Sequence, residues 1–86
     1  DKNIAIFPNP AVDKVYFTIL TAGPNESEKL EIEVLNLLGQ SIYKTKSVPR
    51  NGIYSLDVQG WPTGQYILKV NGDGKINTKR FTVNRQ

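Results

Sequence analysis

The chain has 86 residues and a formal net charge of +3 at pH 7. That length suits one domain rather than two, and we expect residues 1–86 to form it. The sequence contains no Cys and no His, so disulfides, Cys/His zinc sites and Ser–His or Cys–His nucleophile pairs are excluded. Stability must therefore come from an apolar core, and hydrophobic residues make up 38% of the chain.

The charge is unevenly distributed along the chain. Residues 1–49 carry five Lys and six acidic residues, whereas residues 50–86 carry six Lys or Arg and two Asp. This basic excess is small and dispersed, so it does not indicate nucleic-acid binding. No apolar run approaches the roughly 20 residues of a membrane-spanning helix. Because the chain starts at Asp1 and contains no Met, we expect it to be a piece of a longer protein.

Apolar residues recur with a period of two, which is typical of strands with one buried face. We predict seven strands, and their apolar residues are, in chain order, Ile4 and Ile6; Val15, Phe17 and Ile19; Leu30, Ile32 and Val34; Ile42 and Tyr43; Tyr54, Leu56 and Val58; Tyr66, Leu68 and Val70; Phe81 and Val83. No helix is expected beyond a single turn near Gly60 to Gly64. This pattern predicts an all-β fold, a seven-stranded antiparallel immunoglobulin-like β-sandwich.

Two registers are open for the hairpin between the third and fourth predicted strands. Asn36-Leu37-Leu38-Gly39 suits a type I turn with Gly39 at positive φ, and this turn sets Val34 opposite Ile42 with both inward. The rival register pairs acids with bases, Glu33 with Lys44 and Glu31 with Lys46. Exposed ion pairs are worth only about 0.2–1 kcal/mol, so turn chemistry and apolar pairing favour the first register.

The last two predicted strands form a second hairpin around Asp73-Gly74, a two-residue turn signal. This turn sets Tyr66 opposite Phe81, with both rings facing the core. It also places Lys69 and Arg80 on the opposite, solvated face as diagonal neighbours.

No group of residues indicates catalysis or metal binding. Asn71-Gly72-Asp73-Gly74 offers one carboxylate, whereas calcium sites use several oxygen ligands. Glu31 and Glu33 lie about 7 Å apart on one strand face, without the environment that a glycosidase acid requires. We therefore expect no enzyme activity, no cofactor and no metal. For Trp61, between Gly60 and Pro62, a cap on one end of the sandwich is favoured over a sugar-stacking platform.

Four local motifs go beyond what the packing of a sandwich requires. They are Phe7-Pro8-Asn9-Pro10-Ala11, Asn36-Leu37-Leu38-Gly39-Gln40, Trp61-Pro62-Thr63-Gly64-Gln65-Tyr66 and Lys79-Arg80-Phe81-Thr82-Val83. Taken with the alternating strand Leu30-Glu31-Ile32-Glu33-Val34 and with the whole segment Gly64-Gln65-Tyr66-Ile67-Leu68-Lys69-Val70, these features resemble, in this order over residues 4–83, the type A C-terminal sorting domain of the type IX secretion system of Bacteroidota. Three positions depart from the family pattern: Asn36 stands where Asp is frequent, Gln40 where a basic residue is frequent, and Arg80 where Lys is usual.

The resemblance implies a secretion address rather than an enzyme. Its expected partners are the outer-membrane translocon with its shuttle proteins, and a sortase-like peptidase that removes the domain. The cargo would pass through the periplasm and outer membrane to the cell surface or medium, and we expect the domain to be monomeric. The partner-binding positions that the family motifs carry over are Pro8, Asn9, Pro10, Gly39, Gly64, Tyr66, Lys69 and Arg80.

A second function remains open from the sequence. A fibronectin-like accessory module that binds carbohydrate or protein beside a catalytic domain has a similar sandwich, and Trp61 is compatible with it. For the sorting function we expect recognition either by a folded surface or by strand addition at a sheet edge.

Overall fold

The computed structural model describes residues 4–19, 30–47, 52–72 and 75–84. These residues form seven strands: β1 (Ile4–Phe7), β2 (Lys14–Ile19), β3 (Leu30–Asn36), β4 (Ser41–Ser47), β5 (Tyr54–Asp57), β6 (Gly64–Gly72) and β7 (Lys75–Val83). The described ranges contain no helix, and so none of the described residues form a helix that could cross a membrane. Close to the single helical turn expected at Gly60, the Trp61 N–H donates to the Val58 carbonyl at 3.0 Å and closes a simple turn.

The strands form two antiparallel sheets, which confirms the predicted seven-stranded sandwich. One sheet has the order β1-β2-β5 and the other has the order β4-β3-β6-β7. Side chains from both sheets form one buried cluster: Ile4, Val15, Phe17, Tyr54 and Leu56 from the first sheet, and Leu30, Ile32, Val34, Tyr66, Leu68, Val70, Phe81 and Val83 from the second. Burying each such side chain contributes about 1.5–3 kcal/mol, and this stabilises a chain that has no disulfide.

The β3–β4 hairpin contains the predicted turn, but the favoured register is wrong. The Gly39 N–H donates to the Asn36 carbonyl at 3.0 Å, and Gly39 has a φ of 84°. A β-bulge between Val34 and Leu35 then shifts the pairing by one residue. Val34 therefore pairs with Tyr43 instead of Ile42, and Ile42 is 43% exposed rather than inward.

The strands adopt the rival register, which pairs acids with bases, and a bulge reconciles it with the predicted turn. Leu35 pairs with Ser41 and Val34 pairs with Tyr43, so Ile42 is the extra residue on β4. The turn keeps its favoured geometry, and beyond the bulge the acids meet the bases, Glu33 with Lys44 and Glu31 with Lys46. One inserted residue, Ile42, thus lets the turn keep its predicted geometry while the strands pair in the charge-paired register.

The β6–β7 hairpin has the predicted register. Tyr66 pairs with Phe81, and their stacked rings have centroids 5.8 Å apart. Lys69 pairs with Thr78 and Arg80 pairs with Ile67, so the two cations are diagonal neighbours. The turn residues 73–74 lie outside the described residues.

Candidate partner-binding surface

The Pro8-Asn9-Pro10-Ala11 connection is hydrogen-bonded to the last strand. The Thr82 N–H donates to the Asn9 side-chain oxygen at 3.0 Å, across 73 positions of sequence. The Ala11 N–H donates to the Thr82 carbonyl at 2.8 Å, and the Asn84 N–H donates to the Ala11 carbonyl at 2.9 Å. The first motif and the last motif are therefore one structural unit.

Within this unit the three residues of the Pro-Asn-Pro motif face solvent. Pro8, Asn9 and Pro10 are exposed, while the adjoining Ala11 is fully buried. Both prolines follow cis peptide bonds, and neither has an N–H that would need a partner. The motif thus offers an exposed surface whose position is fixed by β7.

Gly64 and Tyr66 shape the neighbouring part of the surface from within. Gly64 begins β6 and pairs with Val83. The Tyr66 hydroxyl donates to the Pro62 carbonyl at 2.6 Å, as in the tyrosine corner of immunoglobulin-like domains, where a Tyr hydroxyl bonds to backbone a few residues upstream. Tyr66 is only 6% exposed, so its direct effect is to hold the segment before β6 in place.

Trp61 packs partly buried against the core. Its ring lies between Tyr43 at 6.0 Å and Tyr66 at 5.3 Å, tilted by 56° and 49° to them. A sugar-stacking platform needs an exposed flat ring, and this Trp is instead wedged between two tyrosines. The packing matches the end cap that was favoured for Trp61.

The turn at Gly39 is organised by the Asn36 side chain. Its Oδ1 accepts hydrogen bonds from the Leu38 N–H at 2.9 Å and the Gln40 N–H at 3.0 Å, and its Nδ2 donates to Gln40 Oε1 at 2.8 Å. The two departures from the family pattern in this motif are thus bonded to each other. Nothing in the sequence indicated that these two departures pair, whereas two adjacent leucines at the centre of a turn, Leu37 and Leu38, are a signal that is visible in the sequence.

Strand pairing brings these motifs to one end of the four-stranded sheet. Asn36 pairs with Tyr66, Gly64 pairs with Val83, and Thr82 binds Asn9. We call this region the motif end, defined as residues 8–10, 36–40, 61–66 and 82–84. It contains six of the eight residues singled out from the sequence: Pro8, Asn9, Pro10, Gly39, Gly64 and Tyr66.

Lys69 and Arg80 lie outside the motif end, on the outer face of the sheet. The Lys69 Nζ lies 3.7 Å from a carboxylate oxygen of Glu33. The pKa of Glu33 lies below its ordinary value because the Ser41 hydroxyl donates a hydrogen bond to the carboxylate and Lys44 and Lys69 add positive charge. Glu33 thus partly compensates the charge of Lys69.

Arg80 is the more available of the two cations. It is exposed, and it makes no ion pair with any residue that the structure describes. The adjacent Lys79 pairs with the buried Leu68 and therefore lies on the inner face of β7, half-buried. Arg80, not Lys79, presents its charge on the outer face.

A shallow cavity of about 460 Å³ also opens on this outer face, next to Lys69. Its lining mixes both charge signs: Glu31, Glu33, Lys44, Lys46, Lys69 and Asn71 take part. The lysines and glutamates face each other across the strands, so their charges largely compensate. With three lysines and two glutamates around it, the cavity has little net charge to favour a charged ligand.

Two stacked antiparallel sheets with an end built from connecting loops define an immunoglobulin-like sandwich, as predicted. The chain belongs to the family described as "Secretion system C-terminal sorting domain", whose family model matches residues 5–84. The resemblance to the type IX sorting domain is thereby confirmed, and membership supports a sorting role in type IX secretion. The family also implies interaction with the secretion system and export across the outer membrane.

Two solved structures have a similar fold. One is PorZ of Porphyromonas gingivalis, described as an essential bacterial surface component of the type IX secretion system; the TM-score is 0.71 at 23% identity, over 98% of this chain and 12% of that chain. The other is a DUF3244 family protein with an immunoglobulin-like β-sandwich from Bacteroides vulgatus, with a TM-score of 0.68 at 15% identity, over 95% and 85% of the two chains. A search of curated proteins finds no match to this chain.

Proposed function

We propose that this chain is a non-catalytic tail that directs a cargo protein through the type IX secretion system and is then removed by a sortase-like peptidase. Residues 1–86 form a single, monomeric domain at the C-terminus of that cargo. The outer-membrane translocon and its shuttle proteins read the folded domain, and the cargo passes through the periplasm to the cell surface or medium. The observation that carries this proposal is the convergence of the family motifs at the motif end, where Asn9 is bonded to Thr82.

The sheet edges favour recognition by a folded surface over strand addition. The edge strands β1 and β5 have only four residues each. Edge strand β4 has a bulge and exposed lysines. Edge strand β7 has Lys79 on its inner face, and near its end it pairs with Ala11 through a short parallel bridge at Val83. Short strands, bulges and inward-pointing charges are the features that protect edges from pairing with another chain.

The eight residues carry different parts of the recognition. Pro8, Asn9 and Pro10 provide the exposed surface, and Gly39 sets the neighbouring turn. Gly64 and Tyr66 hold the surface in shape from inside. Lys69 and Arg80 add a basic patch on the outer face, in which Arg80 contributes most because Glu33 partly compensates Lys69.

The proposal is tested by fusing residues 1–86 to the C-terminus of a periplasmic reporter in a host that has a type IX system. We expect the reporter at the cell surface or in the medium, and in the periplasm when the same host lacks the translocon. Peptidase removal is read by mass spectrometry of the exported reporter. Reporter retained in the periplasm of the complete host, with the isolated domain binding polysaccharide in a pull-down, would instead support the accessory binding module.

The basic patch is tested separately with the Lys69→Ala, Arg80→Ala double variant of the same fusion. Its matched control is Lys44→Ala, Lys46→Ala, which removes the same charge from exposed positions of β4 on the same sheet. We expect the first pair of substitutions to reduce export and the control pair to leave it near the wild-type level. Normal export of the first variant would remove the patch from the recognition surface.

A further inference from the structure

The tip of the β3–β4 hairpin exposes two leucines to solvent. Leu37 is 56% exposed and Leu38 is 83% exposed, the largest exposure among the large hydrophobic residues described. The surrounding stretch, residues 35–43, contains no charged residue. A turn that served only to connect two strands would more often have polar residues at these positions, so the apolar tip needs another explanation.

The turn holds these leucines in one arrangement. Asn36 accepts hydrogen bonds from the Leu38 and Gln40 backbone N–H groups and donates to the Gln40 side chain. The backbone adds two more bonds, from the Gly39 N–H to the Asn36 carbonyl and from the Asn36 N–H to the Gln40 carbonyl, both at 3.0 Å. A loop that is already ordered loses little conformational entropy on binding. The tip is therefore built to present Leu37 and Leu38.

A protein pocket fits this tip better than a lipid surface. Segments that bind membranes combine apolar residues with Lys or Arg that attract anionic lipids, and residues 35–43 contain neither Lys nor Arg. Two leucine side chains also offer less apolar surface than a single myristoyl chain, which by itself binds membranes only marginally. A concave apolar pocket, in contrast, can enclose both side chains of a convex turn.

We propose that Leu37 and Leu38 are an apolar anchor that inserts into an apolar pocket on a protein of the secretion machinery. The inference rests on the proposed sorting function and specifies the chemistry of one contact within it. The anchor lies at the motif end, so the same partner meets it together with the exposed Pro8-Asn9-Pro10 segment. Its partner surface is apolar and uncharged, which distinguishes this contact from the basic patch at Lys69 and Arg80.

The test measures binding of the full chain to the purified translocon complex with its shuttle protein, immobilised for a Kd measurement. Leu37→Ser, Leu38→Ser should weaken binding about tenfold or more, because both apolar contacts are lost. Leu37→Met, Leu38→Met keeps the apolar character and should stay within about threefold. Ile76→Ser is the matched control, since Ile76 is 55% exposed but pairs with Asn71 at the other end of the sheet, and it should leave Kd unchanged.

The following results would contradict the proposed apolar anchor. Binding by the double Ser variant equal to wild type overturns it, and so does the absence of wild-type binding to the complex. Co-sedimentation with phosphatidylethanolamine/phosphatidylglycerol vesicles that depends on the two leucines would assign them to lipid, and a dimer that the double Ser substitution dissociates would assign them to a second copy. If the wild-type fusion is exported while the double Ser variant binds and exports equally well, the anchor fails and the sorting function stands. Periplasmic retention of the wild-type fusion means that the sorting function itself fails.

Discussion

Replacing Asn9 by Ala removes the side-chain oxygen that joins the first family motif to the last strand. The lost bond is the 3.0 Å hydrogen bond from the Thr82 N–H, and a typical bond of this kind contributes about 0.5–1.5 kcal/mol net. Asn9 is exposed, so water can replace part of the interaction, and we expect a loss of about 0.5–1 kcal/mol. In a domain of this size that loss lowers Tm by about 2–8 °C.

The assay combines thermal unfolding with amide hydrogen exchange at Thr82. Asn9→Asp is the matched control, because its carboxylate keeps an acceptor oxygen at the same position, and it should retain both the wild-type Tm and the protection of the Thr82 amide. Asn9→Ala should lose both, while the two bonds through Ala11 keep the connection in place. An Asn9→Ala protein with wild-type Tm and a fully protected Thr82 amide would refute the role assigned to this contact.

Substitutions at three further positions test other parts of the structure. Gly39→Ala should lower the free energy of unfolding in urea by about 1–2 kcal/mol, because Gly39 has a φ of 84° and Ala is strained at positive φ. Gly39→Asn should lower it less, because Asn tolerates the left-handed backbone region. Equal losses for the two variants would contradict backbone strain as the cause. Tyr66→Phe removes the bond to the Pro62 carbonyl and should cost about 0.5–1.5 kcal/mol, so an unchanged urea midpoint would contradict its structural role. The pKa of Glu33 is lowered in the folded state, so its ionised form stabilises the fold above the unfolded pKa of about 4.3, and this stabilisation is lost as the pH falls through the folded pKa. The Tm difference between wild type and Glu33→Gln should therefore be present at pH 7 and vanish in strong acid. A Tm difference that does not depend on pH would contradict this role of Glu33.

The strands β2, β3, β5 and β6 were predictable from the sequence because inward-facing apolar residues alternate along them with more exposed ones. Leu30, Ile32 and Val34 are buried while Glu31 is exposed, and this pattern needs no knowledge of the partner strand. The β6–β7 register was also predictable, because a two-residue turn fixes it and sets Tyr66 opposite Phe81. The β3–β4 register was not, because a bulge at Ile42 leaves no trace in the alternation of so short a strand.

The candidate site was predictable as separate motifs but not as one surface. Asn9 and Thr82 are 73 positions apart, and no local pattern indicates that a loop after β1 binds the edge of β7. The resemblance to the sorting domain family supplied the individual residues without their arrangement. Strand pairing then showed that six of them meet at the motif end and that Lys69 and Arg80 lie elsewhere on the sheet.

The central claim is that the secretion machinery reads the folded sandwich and not a linear motif. Leu68 is fully buried, and Leu68→Asp places an unpaired carboxylate in the core, which unfolds a domain of this size. Ser55→Asp adds the same charge at an exposed position of β5, on the sheet that does not contain Lys69 and Arg80, and is the matched control. The decisive measurement is the exported fraction of the reporter fusion with each variant. We predict that the Leu68→Asp fusion stays in the periplasm while the Ser55→Asp fusion is exported like wild type. Wild-type export of a Leu68→Asp tail that circular dichroism shows to be unfolded would contradict the claim.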